Sequence, residues 1–473
     1  MVVKQGHEPQ AKIQWMFLGE QPQLPPVLQS RMDGSFGKVV TWVEAEGVRV
    51  CVGLGKAEEL TGPKLQQAAA KAAKEMKAQQ QLSFEVPLAP LSRVLGEQAA
   101  FYLVLGMELA LYEYAGVRRE TARPKKEYTL LLDEAAPEEL EAAQLALSLA
   151  QGVCQARDWA NAPGNLLTPA IFAQEISERV QDAGCRVTVL DEAQTAALGM
   201  NTFLSVGKSS SNPAKFIIAR YDGDPSSSER LALVGKGITL DTGGYCLKTR
   251  AGLEHTKGDM AGAAAVMGAI CALARSKVKA NVVAVVPACE NKLSNTGSVP
   301  GDVVTSMSGK TVEILNTDAE GRLILADALT YAVQVEKATR LVDVATLTGS
   351  AVNTFGYSTA ALLTNNDDWY APFEKATAAS GEQYWRMPAF PEYRELLNSE
   401  VADIKNVGPQ YAGCIIAGMF LREFAGETPW LHLDIAGTAR VDKPCFAHQV
   451  PGATGAAVTS LYFLARQMAG QQL

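Results

Sequence analysis

Seven charged side chains, set at predicted strand ends in two short segments, are the candidates for chemistry in this 473-residue chain. The first segment, residues 233–265, reads LVGKGITLDTGGYCLKTRAGLEHTKGDMAGAAA. It places Lys236, Asp241, Lys248 and Asp259 around a glycine-rich turn that leads into an apolar helix. The second, residues 312–329, reads VEILNTDAEGRLILADAL. Its strand pattern ends at Asn316, Asp318, Glu320 and Arg322 follow at alternate positions, and a helix then begins. If Asp241, Asp259, Asp318 and Glu320 converge, they bring four negative charges together. Buried carboxylates without partners are too costly to keep ionised, so they must be paired or bind metal. Two divalent cations would neutralise four carboxylates, and such a site is a hydrolytic device that polarises a carbonyl and acidifies a water. Lys236 could join as a ligand only as the neutral amine, a form that burial and adjacent cations both favour. Lys248 and Arg322 would stay cationic and face developing negative charge.

Each residue alone also has a plainer role. Asp318 and Glu320 could cap the following helix. Lys236 could lie on the surface, and Asp259 could sit in a first helical turn. His255 lies inside the first segment, but a single histidine is more often exposed or structural than a ligand. The chain has only four histidines, His7, His255, His432 and His448, with no two at helical spacing. HExxH is absent, so a histidine-rich zinc site is not supported. A Ser-His-Asp mechanism would have to draw on one of those four. Phosphate-loop readings fail as well. GKSS at 207–210 has Thr202 where the pattern needs glycine, and GKG at 235–237 has Leu240 where a third glycine belongs.

Those residues need elements to position them. The length predicts two or three domains at roughly 150 residues each. In the first 130 residues, Val39–Val43, Val48–Leu54, Tyr102–Leu105 and Tyr128–Leu132 read as strands, and Gly62–Gln79 reads as a helix. Residues 137–161 carry a long helical pattern with an acidic first turn and no internal proline, ending before Pro163. Beyond it, Val187–Leu190, Phe216–Ala219, Leu231–Val234, Val282–Val286, Val312–Leu315, Leu341–Val344 and Trp430–Asp434 look like short buried strands separated by helical patterns. That alternation predicts an α/β protein with a largely parallel sheet covered on both faces. Ligands in such sheets bind beyond the carboxyl ends of the strands.

Composition narrows the function classes. With 43 basic and 51 acidic residues the net charge is −8, which weighs against a protein built to hold nucleic acid. The only basic pairs noted are Arg118-Arg119 and Lys125-Lys126. The N-terminus shows no apolar run of signal-peptide length. The apolar stretch 261–274 is too short to span a bilayer and reads as a buried helix. Eight cysteines form no CxxC pair and read as free thiols of a reducing compartment.

NTDAEGRLILADAL at 316–329 resembles the signature of the leucyl aminopeptidase family, the cytosolic two-metal M17 type. VGKGITLDTGG (234–244), KGDMAGAAAV (257–266), ARDWANAPGNLLTP (156–169), DVATLTGS (343–350), EYRELLNSEVADIKNVG (392–408) and WLHLDIAGTA (430–439) are similar to other family blocks, so the resemblance covers essentially the whole chain. It implies an N-terminal α/β domain (1–136), a connecting helix (137–161) and a catalytic α/β domain (162–473) with a mixed, largely parallel central sheet. It implies metal ligands Lys236, Asp241, Asp259, Asp318 and Glu320, with Asp241 and Glu320 bridging two ions, manganese or zinc, with magnesium a further candidate for the exchangeable position. Lys248 would polarise the intermediate, and Arg322 would hold a bicarbonate acting as general base. Thr256, Thr346 and Gly349 would line the substrate pocket. Peptides with a free N-terminus would be the substrates of a cytoplasmic homohexamer, a dimer of trimers. Two departures stand out: DTGG replaces the usual DSGG, and Thr256 stands where relatives carry a pocket methionine. A methylene or so in such a pocket is worth roughly 1–3 kcal/mol, so the resemblance by itself does not imply which first residue is preferred. The competing readings are a DNA-binding or regulatory protein on this scaffold, and a catalytically silent relative.

Overall fold

The computed structural model describes residues 1–6, 11–21, 23–117, 127–254 and 256–471. His7, His255 and the basic pairs Arg118-Arg119 and Lys125-Lys126 lie outside the described residues. The chain divides into two compact units. One holds Met1–Gln151 and Lys443–Pro451, and the other holds Gly152–Asp442 and Gly452–Gln472.

The first unit is built on a six-stranded sheet. Its order is Val2–Gln5, Thr129–Asp133, Ser83–Pro87, Ala11–Phe17, Gly47–Gly55 and Val39–Glu44. Neighbours run parallel except the hairpin formed by the last two. Helices Gly62–Ala78 and Gln98–Leu111 pack together so closely that two contacts require glycine. A Cβ on Gly106 would lie 2.3 Å from the Gln66 carbonyl oxygen, and one on Gly62 would lie 2.0 Å from the Tyr102 ring. Tyr102–Leu105 is therefore not a strand but the middle of a helix. The segment is buried all round, so it shows no helical stripe, and four apolar residues in a row imitate a buried strand.

The second unit is an α/β layered structure around a nine-stranded mixed sheet. Eight strands follow the order Gln383–Arg386, Thr359–Thr364, Trp430–Asp434, Arg340–Ala345, Arg230–Gly235, Asn281–Asn291, Lys215–Asp222 and Arg186–Leu190. The ninth, Gly237–Asp241, pairs with Asn281–Asn291. The five strands that matter for the site (430–434, 340–345, 230–235, 281–291 and 237–241) are mutually parallel, so their carboxyl ends share one edge. Alternate side chains of each strand serve opposite faces. Ala232, Val234, Val283 and Val285 join a core with Leu323–Leu329 of helix Glu320–Gln334 and with helix Gly413–Ala425. Helix Ala261–Arg275 packs on the strands as well and is buried along nearly its whole length. Val312–Leu315 does not join this sheet. Residues Thr311–Ile314 pair with Asp302–Thr305 and Ile404–Lys405 in a separate three-stranded sheet. A four-residue stretch such as VEIL names a strand but not its partners.

Candidate metal centre

The site forms where the parallel strands end. Gly235 and Gly262 let helix Ala261–Arg275 approach the sheet. A Cβ on Gly262 would sit 2.0 Å from the Val344 carbonyl oxygen, and one on Gly235 would sit 2.6 Å from Ala263 Cα. Lys236 is pinned there by its own backbone, which donates to Val344 O (3.0 Å) and accepts from Ala263 N (2.9 Å). Asp241 ends its strand, and Gly243 and Gly244 then turn the chain with φ of 85° and 63°. Asp259 sits two residues before the helix Ala261–Arg275, after the short turn Thr256–Gly258. Glu320 is the first residue of helix Glu320–Gln334.

The fold brings these groups together across long stretches of chain. Carboxylate oxygens of Asp241, Asp259 and Glu320 lie within 4.8 Å of one another. Lys236 Nζ donates to Asp259 Oδ1 at 2.7 Å and to the Thr346 carbonyl at 2.9 Å, and pairs with Glu320 Oε1 at 2.9 Å. Asp318 stands off from the three carboxylates but is joined to them through Lys248. That ammonium is 2.7 Å from Asp241 Oδ2 and also ion-pairs with Asp318. Two of the plainer roles drop out, while Glu320 does stand in the first turn of its helix. Lys236 is buried, not a surface residue. The helix at Glu320 has Ala319 as its N-cap, with no side-chain cap, so Asp318 does not cap it.

Electrostatics follow from burial. Desolvation raises the carboxyls of Glu320 and Asp259 above their usual range, and the neighbouring carboxylates add to it. Asp318 is raised for the same reasons, burial first and then Asp241. Burial opposes the Lys236 ammonium, but Asp259, Glu320 and Asp241 together outweigh it and hold the proton on. Lys248 is likewise held protonated, chiefly by Asp241 and Glu320 against burial. Two ammonium groups thus face four carboxyl groups, and the crowding of acidic groups in a buried setting favours taking up protons or cations. Asp259 Oδ2 and Glu320 Oε2 are buried with no hydrogen-bond partner. Oxygens left so are costly, and an all-oxygen set with one amine is the donor chemistry that hard or borderline divalent cations take. The converging carboxylates of Asp241, Asp259 and Glu320 fit such a cation.

Arg322 lies in the first turn of helix Glu320–Gln334 and is buried. Its Nη1 donates to the Asn406 carbonyl at 2.7 Å, while its Nε has no partner. Burial lowers its pKa to about 10, which leaves it charged at neutral pH. A buried guanidinium N–H without a partner suits a small planar anion. Thr346 donates its hydroxyl to Asp259 Oδ1 at 2.8 Å, so it supports a carboxylate directly. Thr256 is buried, and its hydroxyl is taken by the Leu253 carbonyl at 3.1 Å. Gly349 begins helix Gly349–Phe355 with open space where a side chain would stand.

Three residues that sequence reasoning passed over organise the centre. Asn291 donates to Asp241 and to the Thr317 carbonyl. The Thr317 hydroxyl donates to Gly243 O and accepts from Cys246 N. Asn406 accepts from Leu315 N and Asn316 N through Oδ1 and donates to Asn316 O through Nδ2. The available signal was a polar pair closing an apolar run, as Glu290 and Asn291 close VVAVVPACEN.

Comparison with known proteins gives a consistent result. The model of the cytosol aminopeptidase family catalytic domain matches residues 154–462, and that of its N-terminal domain matches residues 31–121. A probable cytosol aminopeptidase of Clostridium perfringens is 42% identical over 451 residues, covering 93% of this chain and 91% of that protein. One from Azoarcus sp. is 46% identical over 340 residues, covering 72% and 67%. Among solved structures, the bottromycin maturation enzyme BotP in complex with Mn superposes with a TM-score of 0.90 at 32% identity, covering 98% of this chain and 100% of that one. A tomato leucine aminopeptidase variant gives 0.86 at 31% identity, covering 98% and 96%.

Proposed function

Because the chain belongs to the cytosol aminopeptidase family and is an aminopeptidase-type hydrolase, we propose that it removes the N-terminal residue of peptides at a centre holding two divalent cations. Lys236, Asp241, Asp259 and Glu320 would hold one ion. Asp241, Asp318 and Glu320 would hold the other, with help from the Asp318 carbonyl. The observation that carries the reading is the donor set itself: converging buried carboxylates, two of whose oxygens have no partner. Bound there, the ions supply Lewis acidity to the scissile carbonyl and to the attacking water. Manganese is the first candidate, since a structural relative is described in complex with Mn; zinc is the alternative.

The chain's own residues have distinct tasks. Lys236 serves in the set only as the free amine, so taking up the ions releases its proton. Lys248 stays charged at the rim and donates to the carbonyl oxygen as negative charge grows on it. Arg322 would orient a bicarbonate through its unpartnered Nε, an anion able to accept the water's proton. Thr256 spends its hydroxyl proton on the Leu253 carbonyl, so it would select the first residue chiefly by volume. The cytoplasm as the site of action and a homohexamer as the assembly complete the proposal; the relatives' names support the first.

Hydrolysis of amino-acid anilides tests it. Activity should vanish with chelator and return with Mn²⁺ or Zn²⁺. Full activity in Asp318→Ala or Glu320→Ala would refute it.

A further inference from the structure

We propose that Asn291 is the positioning residue that aims Asp241, holding one carboxylate oxygen from behind so that the other is presented to the centre. The inference rests on the reading of that centre as a cation site.

Asn291 ends strand Asn281–Asn291 and lies opposite Asp241 in the register of the adjoining parallel strand. It is buried, and its Nδ2 has two acceptors: Asp241 Oδ1 at 2.8 Å and the Thr317 carbonyl at 3.0 Å. Gly243 N adds a second donor to the same Asp241 oxygen at 2.9 Å. Asp241 Oδ2 is left on the side of Lys248, 2.7 Å away. The Asn291 carbonyl accepts from Thr242 N at 2.8 Å and Thr242 Oγ1 at 3.0 Å. One residue thus ties its own strand, the turn after Asp241 and the turn before Glu320 into a closed hydrogen-bonded circuit.

The residue type follows from this arrangement. Both acceptors are oxygens, so the position needs a group with two N–H donors and no charge. Aspartate would set oxygen against oxygen, and leucine would leave the Thr317 carbonyl without this donor and Asp241 Oδ1 with one donor instead of two. With Oδ1 saturated by two fixed donors, the Asp241 carboxylate cannot rotate to expose both oxygens. Such supports of metal-binding carboxylates are typically worth about 10–100-fold in metal affinity.

The test uses chelator-stripped full-length protein and reads Mn²⁺ binding from the resonance signal of the free ion, with thermal unfolding in EDTA on the same samples. Asn291→Ala should bind Mn²⁺ about 10–100-fold more weakly. Its KM for an aminoacyl anilide should stay near wild type once Mn²⁺ is in excess. Asn291→Ser serves the same comparison should the alanine variant not fold. Ser209→Ala is the control. It removes bonds to Glu290 O and Lys292 N at the same strand end without reaching Asp241, and should bind Mn²⁺ as wild type does. Wild-type affinity in the Asn291 variants, or an equal loss in Ser209→Ala, overturns the inference. A wild-type protein that binds no Mn²⁺ would instead overturn the cation-site reading, and the inference with it.

Discussion

Gly321→Ala separates stability from catalysis in this protein. Gly321 is the second residue of helix Glu320–Gln334. A methyl group there would lie 2.5 Å from Lys236 Cε, 2.8 Å from Cδ and 2.9 Å from Nζ. Carbon contacts settle at about 3.5–4.0 Å, so the lysine must retreat by about 1 Å. It has nowhere to go in place, because its amine is held by Asp259, Glu320 and the Thr346 carbonyl in a buried setting. Alanine in a helix is favoured over glycine by about 1 kcal/mol, which offsets part of the strain. The net change in unfolding free energy should therefore stay small, within about 1–2 kcal/mol. Catalysis should respond far more, since a displacement of about 1 Å at a reacting centre lowers the rate about 100-fold. The assay is kcat/KM for an aminoacyl anilide at saturating Mn²⁺, beside urea unfolding of the same protein. A variant within twofold of wild type in kcat/KM would show that the position of Lys236 does not matter. The reasoning from its contacts would then be refuted.

Three further outcomes are expected. Asn406→Ala removes the acceptor of Leu315 N and Asn316 N, at about 1–3 kcal/mol for each donor left unpaired, so the urea midpoint and kcat should both fall; an unchanged kcat would show that the turn around Asp318 holds its shape unaided. His432 is buried with Nδ1 2.6 Å from Asp343 Oδ1, and although burial opposes its charge, the carboxylate outweighs it and raises its pKa. Its contribution to stability is then fully present below the ordinary histidine value of about 6.5 and is lost as pH rises through the raised one. Urea midpoints across that range should decline in the wild type and flatten in His432→Gln, and equal slopes would place the titration elsewhere. Thr256→Met should shift relative kcat/KM among anilides of small and large first residues by roughly 10–200-fold, the range a methylene-scale change can produce; an unaltered ranking would remove Thr256 from the pocket wall.

Much of the fold was legible because its signals are local. Apolar strands alternating with helices announced the large sheet, and the Ala-rich run 261–274 announced a buried helix. Where a signal was local but ambiguous, the reading failed, as at Tyr102–Leu105. Strand Gly237–Asp241, which delivers Asp241, was not picked out, because five residues bracketed by glycines give too little pattern to register.

The sequence by itself determined the chemistry available: which carboxylates, which amine and which guanidinium, at spacings set by strand, turn and helix within two short segments. Tertiary structure alone decided how they meet. Asp259 reaches Thr346 across 87 residues, Asn291 reaches Asp241 across 50, and Arg322 reaches Asn406 across 84. Spacing along the chain says nothing about such pairs, because each forms only when strands, turns and helices distant in sequence come into alignment. That same alignment buries Lys236 among carboxylates: burial raises Glu320, while the carboxylates hold the proton on Lys236 against burial.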